Sequence, residues 1–137
     1  MALLSIIVPC YNEEATIETF YAHTSAVCAK LPGVDVEYLF VDDGSTDRTL
    51  DLLRRLAADR PGVRWLSFSR NFGKEAAMFA GLEHAKGDYV AVMDVDLQDP
   101  PELLPEPAKN VPRRENLLKS FPALNCLWAL KKKIFMW

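Results

Sequence analysis

The sequence predicts an α/β fold with an open, mainly parallel sheet and helices on both of its faces. Short apolar runs, typical of strands that are buried on both sides, alternate with segments whose apolar residues recur at the helical period. Short polar links join them, and this alternation indicates right-handed crossovers between parallel strands. The 137 residues, 50% hydrophobic and 26% charged, are enough for one globular domain.

The first strand and helix follow from the opening residues. Residues 3–8 form a nearly continuous apolar run, which predicts a buried strand. Asn12 is expected to cap the next helix, with Glu13 and Glu14 in its first turn near the positive end of the helix dipole. The same reasoning predicts strands over 36–41, 63–68 and 89–93, a helix that ends before Pro61, and an alanine-rich helix over 75–86.

The composition changes after the fourth strand. Residues 1–105 carry nine basic and 17 acidic side chains, whereas residues 106–137 carry seven basic and two acidic ones. Six of the nine prolines lie between Pro100 and Pro122, and no glycine follows Gly87, so the turn chemistry of the earlier part stops there. We therefore predict a domain over 1–105 and an irregular, basic C-terminal tail over 106–137.

Composition and motifs exclude several classes of protein. A net charge of −3 argues against a nucleic-acid-binding protein. Three cysteines without C-x-x-C spacing argue against a disulfide framework or a zinc site, and favour a reducing compartment. The chain has no G-x-G-x-x-G after its first strand, no phosphate-binding P-loop motif and no G-x-S-x-G elbow. No apolar run approaches the roughly 18 residues of a membrane span, and no secretory signal opens the sequence, so neither crossing of a membrane nor secretion is expected.

Polar loops follow all four predicted strands. Because ligands of a parallel sheet bind beyond the carboxyl ends of its strands, these loops form the predicted site. Eight of the 19 acidic residues lie in them. Carboxylates this close together repel one another, and a divalent cation or a network of sugar hydroxyls usually offsets that repulsion.

The sharpest signal is the D-V-D sequence after the fourth strand. In an extended conformation, Asp94 and Asp96 point to the same side, and Mg²⁺ or Mn²⁺ takes one or two carboxylates together with phosphate oxygens and waters. Gln98 adds a neutral oxygen. We predict that these three residues hold a cation and a nucleoside diphosphate. The alternative is a chance pair of acids in an acidic loop.

The loops after the first two strands offer contacts to the rest of a nucleotide. Asp42, and less strongly Asp43, is expected to bind a base or a ribose, whereas an ordinary turn before a helix is the alternative. Tyr11 either stacks on a base or packs at the edge of the core. Glu13 either faces the ligand or pairs with the helix dipole.

Two basic residues lie in the loop after the third strand. Lys74 and Arg70 either contact a diphosphate or neutralise the neighbouring carboxylates. Cys10 lies in the first loop, but no adjacent histidine is evident to activate it as a nucleophile.

Four motifs occur in order across residues 4–104. They read I-I-V-P-C-Y-N-E-E, V-D-D-G-S-T-D, R-N-F-G-K-E-A-A and M-D-V-D-L-Q-D-P-P-E. Together they resemble the family 2 glycosyltransferases of the GT-A fold, and within them the dolichol-phosphate mannose synthase-like enzymes and bacterial polyprenyl-phosphate sugar transferases. The resemblance implies the Rossmann-like, nucleotide-sugar-binding half of such an enzyme.

The resemblance also implies an activity and a set of site residues. The family transfers a sugar, with inversion, from a UDP- or GDP-sugar to a polyprenyl phosphate at the inner, cytoplasmic face of a membrane, with Mg²⁺ or Mn²⁺. By resemblance, Pro9, Tyr11, Glu13 and Asp42 line the nucleoside pocket, Asp94, Asp96 and Gln98 hold the metal and the diphosphate, and Asn71 and Lys74 brace the donor site.

Other interpretations remain open from the sequence. Family members are longer, and residues after 105 depart from the family pattern, so we expect a truncated chain that either binds the donor weakly or is inactive alone. A non-catalytic nucleotide-sugar-binding module, completed by another chain, is the main alternative. Phosphatases with D-x-D on the first strand and response-regulator receivers fit the order of the motifs poorly. The basic, aromatic tail is either a surface for anionic membranes or an unselected sequence.

Overall fold

The computed structural model describes residues 2–96. The predicted tail over 106–137, Gln98 and the end of the predicted domain lie outside the described residues. Strands and helices alternate as predicted, and the elements are β1 Ala2–Cys10, α1 Ile17–Cys28, β2 Val34–Asp42, α2 Thr49–Asp59, β3 Val63–Ser67, α3 Lys74–His84 and β4 Tyr89–Val92.

The four strands form one parallel sheet in the order β3-β2-β1-β4. The chain therefore runs outward from β1 to β3 and then returns across the sheet, so that β4 pairs with the free side of β1. Because crossovers are right-handed, the reversal places α3 on the opposite face from α1 and α2. The predicted open parallel sheet with helices on both faces is confirmed.

Each face of the sheet has its own hydrophobic core. Alternate residues of β1 point to opposite faces, as the pleat of a strand requires. Ile6 and Val8 pack with Phe20 of α1 and Leu53 of α2 in one core. The other core is smaller and includes Ile7, Leu39, Val41 and the alanine face of α3. The short side chains of α3 permit this helix to lie close to the sheet.

The start of α1 differs from the prediction. Asn12 does not cap this helix, and Glu13 and Glu14 do not form its first turn, because α1 begins at Ile17 after Thr16. Asn12 has a left-handed backbone, with φ of +53°. Its side chain instead contacts the loop after β2. Contacts between the two loops therefore outweigh the local capping preference.

A buried polar cluster closes the opposite end of the sheet. The carboxylate of Glu37 accepts hydrogen bonds from Ser5 Oγ, from the backbone N–H of Lys86 at 2.7 Å and from Arg64 at 3.0 Å. Burial alone would raise the pKa of Glu37, but these donors and the Arg64 charge outweigh it and hold that pKa below its ordinary value. The cluster ties the turn before β4 to β1 and β2.

Candidate functional site

A cleft of about 340 Å³ opens at the carboxyl ends of β1 and β4. The direction of the chain across the sheet reverses between these two neighbours, since β2 lies on one side of β1 and β4 on the other. Ligands of open α/β sheets bind at such a switch point. The lining residues are Pro9, Cys10, Tyr11, Glu13, Asp43, Lys74, Asp94, Val95 and Asp96.

Both carboxylates of the D-V-D sequence line this cleft. They do so from a turn, not from the extended strand that the sequence predicts, since β4 ends at Val92 and the chain turns at Val95 and Asp96. Val95 is 4% exposed and packs into the core, which leaves Asp94 and Asp96 on the cleft side. Both acids therefore reach the cleft from a turn around a buried apolar residue, and not through strand pleating.

Lys74 is the cationic partner of Asp94. Its Nζ atom lies in hydrogen-bonding contact with Asp94 Oδ1. The Lys74 side chain is 58% exposed and the Asp94 side chain 29%, so water screens the pair and its strength is modest. The arrangement puts a positive charge from the first turn of α3 against the carboxylate that follows β4.

Asp43 fixes the loop that leads to Lys74. Its Oδ1 atom accepts a hydrogen bond from the Phe72 N–H at 2.7 Å, and its Oδ2 atom accepts from the Gly73 N–H at 3.1 Å and from Asn71 Nδ2 at 3.2 Å. Burial raises the pKa of Asp43, as does the neighbouring Asp42 charge, while the two backbone donors act in the opposite direction. Asp43 therefore acts as a cross-link between β2 and the β3–α3 loop at the cleft wall.

Asp42 lies beneath the cleft and does not line it. It is 1% exposed, and its carboxylate accepts hydrogen bonds from Ser67 Oγ at 3.1 Å and from the Ser45 N–H at 3.2 Å. Asn71 is likewise absent from the lining, because its amide is directed to Asp43. Of these two neighbouring acids, Asp43 lines the cleft and Asp42 does not.

The first loop supplies the aromatic side of the cleft. Tyr11 is 47% exposed, an unusual exposure for a large apolar side chain within the part of the chain that the structure describes. Glu13 lines the same cleft, and its Oε2 atom accepts a hydrogen bond from Thr16 Oγ1 at 2.9 Å. Pro9 and Cys10 form the floor at the end of β1.

Two lining residues were not among the predicted site residues. Cys10 is 1% exposed, and burial, together with the charges of Asp42 and Glu13, raises the pKa of its thiol well above the ordinary value. This agrees with the absence of an activating histidine and makes the thiol a packing group. Val95 is the second, and its position between Asp94 and Asp96 was the sequence feature that could have predicted its place in the lining.

Arg70, which the sequence suggested as a contact to a diphosphate or to the neighbouring carboxylates, is not among the lining residues. It stacks over Phe72, with its Cζ atom 4.0 Å from the ring centroid.

The carboxylates of the cleft suit a hard divalent cation that has further ligands from outside the protein. Carboxylate oxygens of Asp94 and Asp96 face one cleft, and such oxygens are the protein ligands that Mg²⁺ and Mn²⁺ prefer. Within residues 2–96, no group of three or more His, Cys, Asp or Glu residues is arranged to hold a metal. The described acids therefore fit a cation whose remaining ligands are phosphate oxygens and waters.

A sequence profile described as glycosyl transferase family 2 matches residues 5–116. The chain belongs to this family. A bactoprenol glucosyl transferase of Shigella phage SfV is 50% identical to it over 102 residues, which cover 74% of this chain and 33% of that protein. An undecaprenyl-phosphate 4-deoxy-4-formamido-L-arabinose transferase of Edwardsiella ictaluri (strain 93-146) is 42% identical over 104 residues, which cover 74% of this chain and 31% of that one.

Solved structures of glycosyltransferases share the fold. The mannosyltransferase PcManGT from Pyrobaculum calidifontis, solved in complex with GDP-Man and Mn²⁺, matches with a TM-score of 0.60 and 30% identity, covering 68% of this chain and 27% of that one. The family and the GT-A-like fold predicted from the four motifs are thus confirmed. This family 2 chain spans about a third of the length of the curated relatives it matches. Among its described helices, none is long and apolar enough to cross a membrane.

Proposed function

We propose that this family 2 chain provides the nucleotide-sugar-binding half of an inverting hexosyltransferase that uses a UDP- or GDP-sugar as donor, a polyprenyl phosphate as acceptor and Mg²⁺ or Mn²⁺ as cofactor. The observation that carries the proposal is the convergence of Asp94, Asp96 and Lys74 on one cleft with the exposed ring of Tyr11. Relatives named for transfer to bactoprenol and undecaprenyl phosphate support the acceptor class.

The exposed aromatic ring and the charged groups of the cleft have roles in donor binding. Tyr11 stacks on the base, and Glu13 and Asp43 accept hydrogen bonds from ribose or sugar hydroxyls. Asp94 and Asp96 hold the cation, and Gln98, beyond the described residues, adds its amide oxygen. A cation held there would supply positive charge that offsets the charge of the diphosphate leaving group. Lys74 adds a second positive charge next to the same oxygens.

The acceptor needs little activation. In the transfer, an oxygen of the lipid phosphate forms a bond to the anomeric carbon, while the bond from that carbon to the diphosphate breaks and the electron pair leaves with the nucleoside diphosphate. A phosphate with a second pKa of about 6 is already an anion at neutral pH. Attack opposite the leaving group inverts the anomeric centre. We therefore assign neither Glu13 nor Asp43 the role of a strong general base.

We propose that the protein acts at the cytoplasmic face of a membrane. A nucleotide sugar is water-soluble and a polyprenyl phosphate is held in the bilayer, so the two substrates meet at a membrane surface, and the family resemblance implies its inner face. The basic tail over 106–137, outside the described residues, carries the charge expected of a segment that contacts anionic lipid.

Calorimetry with the 137-residue chain tests the proposal. UDP-glucose and GDP-mannose are titrated in the presence and absence of Mn²⁺, and one of them is expected to bind only with the cation. Asp96→Ala is expected to weaken this binding by at least about tenfold, the loss that even an outer partner of a metal site can cause. Asp51→Ala, an exposed acid on α2, is the matched control and leaves binding unchanged.

A transfer assay separates an enzyme from a binding module. The chain is supplied with the donor that binds, Mn²⁺ and undecaprenyl phosphate in detergent. Sugar transfer that Asp96→Ala abolishes supports the enzyme. Donor binding without transfer supports a non-catalytic module that needs an acceptor half from another chain. Absence of cation-dependent binding for every donor tested contradicts both functions.

A further inference from the structure

Under the proposed function, Asp94 and Asp96 hold the cation, and Lys74 contacts Asp94. The inference below rests on that function. The Lys74 ammonium group touches Asp94 Oδ1, so the protein's own cation and a metal ion compete for the same oxygen. We propose that Lys74 makes the cleft selective for a cation that arrives bound to a diphosphate. It opposes the binding of a bare divalent cation and pairs with a diphosphate oxygen when the complex binds.

The position of Lys74 is built into the loop before it. Asp43 accepts hydrogen bonds from the backbone N–H groups of Phe72 and Gly73, the two residues that precede Lys74. Asp43 is itself 4% exposed, so this attachment is protected from water. The ammonium group therefore reaches the cleft from an anchored backbone, and only the flexible lysine side chain has to move.

Lys74 is expected to change the affinities for bare Mn²⁺ and for its diphosphate complex in opposite directions. A bare Mn²⁺ ion must displace or repel the Lys74 ammonium group to reach Asp94, which weakens its binding. A complex of Mn²⁺ with a diphosphate brings anionic oxygens that accept the displaced ammonium group, so the same residue strengthens its binding. Among residues 2–96 no group of three acidic, histidine or cysteine ligands offers the bare ion a compensating cage.

Replacing Lys74 by methionine removes the charge and keeps a long side chain. Mn²⁺ alone is titrated into the full chain and followed by the paramagnetic resonance of the free ion, and UDP and GDP are then titrated at saturating Mn²⁺. Lys74→Met is expected to bind bare Mn²⁺ about twofold to fivefold more tightly, the range of an exposed ion pair. The same variant is expected to bind the diphosphate about tenfold more weakly, since a charge-assisted hydrogen bond is lost.

Three further variants control the measurement. Lys74→Arg keeps the charge and is expected to bind bare Mn²⁺ like the unchanged chain. Lys30→Met makes the same change of charge at an exposed position after α1 and is expected to shift neither affinity. Asp94→Asn removes the partner of Lys74, and in this background Lys74→Met is expected to lose its effect on bare Mn²⁺.

The outcomes distinguish the inference from the proposed function. Opposite shifts for bare Mn²⁺ and for the diphosphate, in a Lys74→Met protein that retains its circular dichroism spectrum and unfolding midpoint, support the selectivity. Equal or weaker binding of bare Mn²⁺ by a folded Lys74→Met protein overturns it, while cation-dependent donor binding by the unchanged chain leaves the proposed function in place. Absence of donor binding by the unchanged chain contradicts the proposed function itself.

Discussion

Asp43, the residue that follows β2, accepts the backbone N–H of Phe72 at 2.7 Å across a sequence separation of 29 residues. The same carboxylate also accepts from Gly73 and from the Asn71 side chain. One buried side chain therefore sets the path of the loop that ends at Lys74. This contact links the second strand to the side of the cleft that carries Lys74.

Asp43→Asn tests this link. The substituted amide has one oxygen, so its NH₂ group meets a backbone donor, and the unpaired groups are expected to lower the free energy of unfolding by about 1–3 kcal/mol. Urea denaturation followed by circular dichroism measures the loss. Asp35→Asn, at an exposed position of β2, is the matched control and is expected to change stability by less than about 0.5 kcal/mol. Equal stabilities for the two variants would contradict the cross-link.

Gly44 and Gly33 form a matched pair for a second prediction. Both have left-handed backbones, with φ of +69° and +68°. A Cβ atom at Gly33 would meet no atom within 4 Å, whereas one at Gly44 would overlap the backbone of Arg70 and Asn71. Gly33→Ala is therefore expected to cost about 1–2 kcal/mol of backbone strain.

Gly44→Ala is expected to cost at least about 1–3 kcal/mol more than Gly33→Ala, because side-chain rotation cannot relieve an overlap with backbone atoms. The measurement is the midpoint of urea unfolding for each single variant. Similar midpoints would show that the β2–α2 and β3–α3 loops do not pack as closely as the structure indicates.

The lowered pKa of Glu37 predicts that the stability of the fold depends on pH. Its pKa in the folded protein lies below the ordinary value of about 4.3. The stability it contributes is therefore fully present above that ordinary value and is lost as the pH falls through the lower, folded-state pKa. Glu37→Gln is expected to be less stable by about 1–3 kcal/mol at pH 7, since it weakens three hydrogen bonds.

The difference between the unchanged chain and Glu37→Gln is expected to shrink as the pH is lowered from about 7 to about 3, because protonation of Glu37 then removes from the unchanged chain the charge that the variant lacks at every pH. Urea titrations across this pH range measure it. Ser5→Ala, which removes one of the donors, is expected to show a smaller dependence of the same sign. A difference that stays constant with pH would contradict the assigned role of the charge.

Asn12 joins the first loop to the second. Its Oδ1 atom accepts the backbone N–H of Thr46 at 2.8 Å, and its own N–H donates to Ser45 Oγ at 3.0 Å. Asn12→Gly keeps the left-handed backbone accessible and is expected to cost about 0.5–1.5 kcal/mol for the lost side-chain contact. Asn12→Ala adds about 1–2 kcal/mol of strain to that loss.

Donor affinity provides the second readout for Asn12. Tyr11 is its neighbour at the cleft, so a loosened loop is expected to weaken nucleotide binding in both variants, and more strongly in Asn12→Ala. Titration of UDP or GDP at saturating Mn²⁺ measures this. Equal affinities for the two variants and the unchanged chain would mean that the loop contact serves stability alone.

Much of the fold could be predicted from the sequence, because periodicity and turn chemistry are local. The apolar runs located all four strands to within a few residues, and the polar loops after them indicated at which edge the cleft opens. Tyr11 and the D-V-D acids lie at the cleft, where their place after β1 and β4 puts them. The predicted helix cap at Asn12 was wrong. Asparagine is favoured both as a helix cap and in left-handed turns at the ends of loops, and the sequence alone does not separate the two.

By itself the sequence determined the alternation of strands and helices, the family and the acidic edge, since these depend on residue order and on short-range patterns. Only the tertiary structure decided that β4 pairs with β1, that Asp43 and not Asp42 lines the cleft, and that Lys74 meets Asp94. These features join residues that are 20 or more positions apart. Their partners are selected by how the loops pack against one another, which no local pattern records.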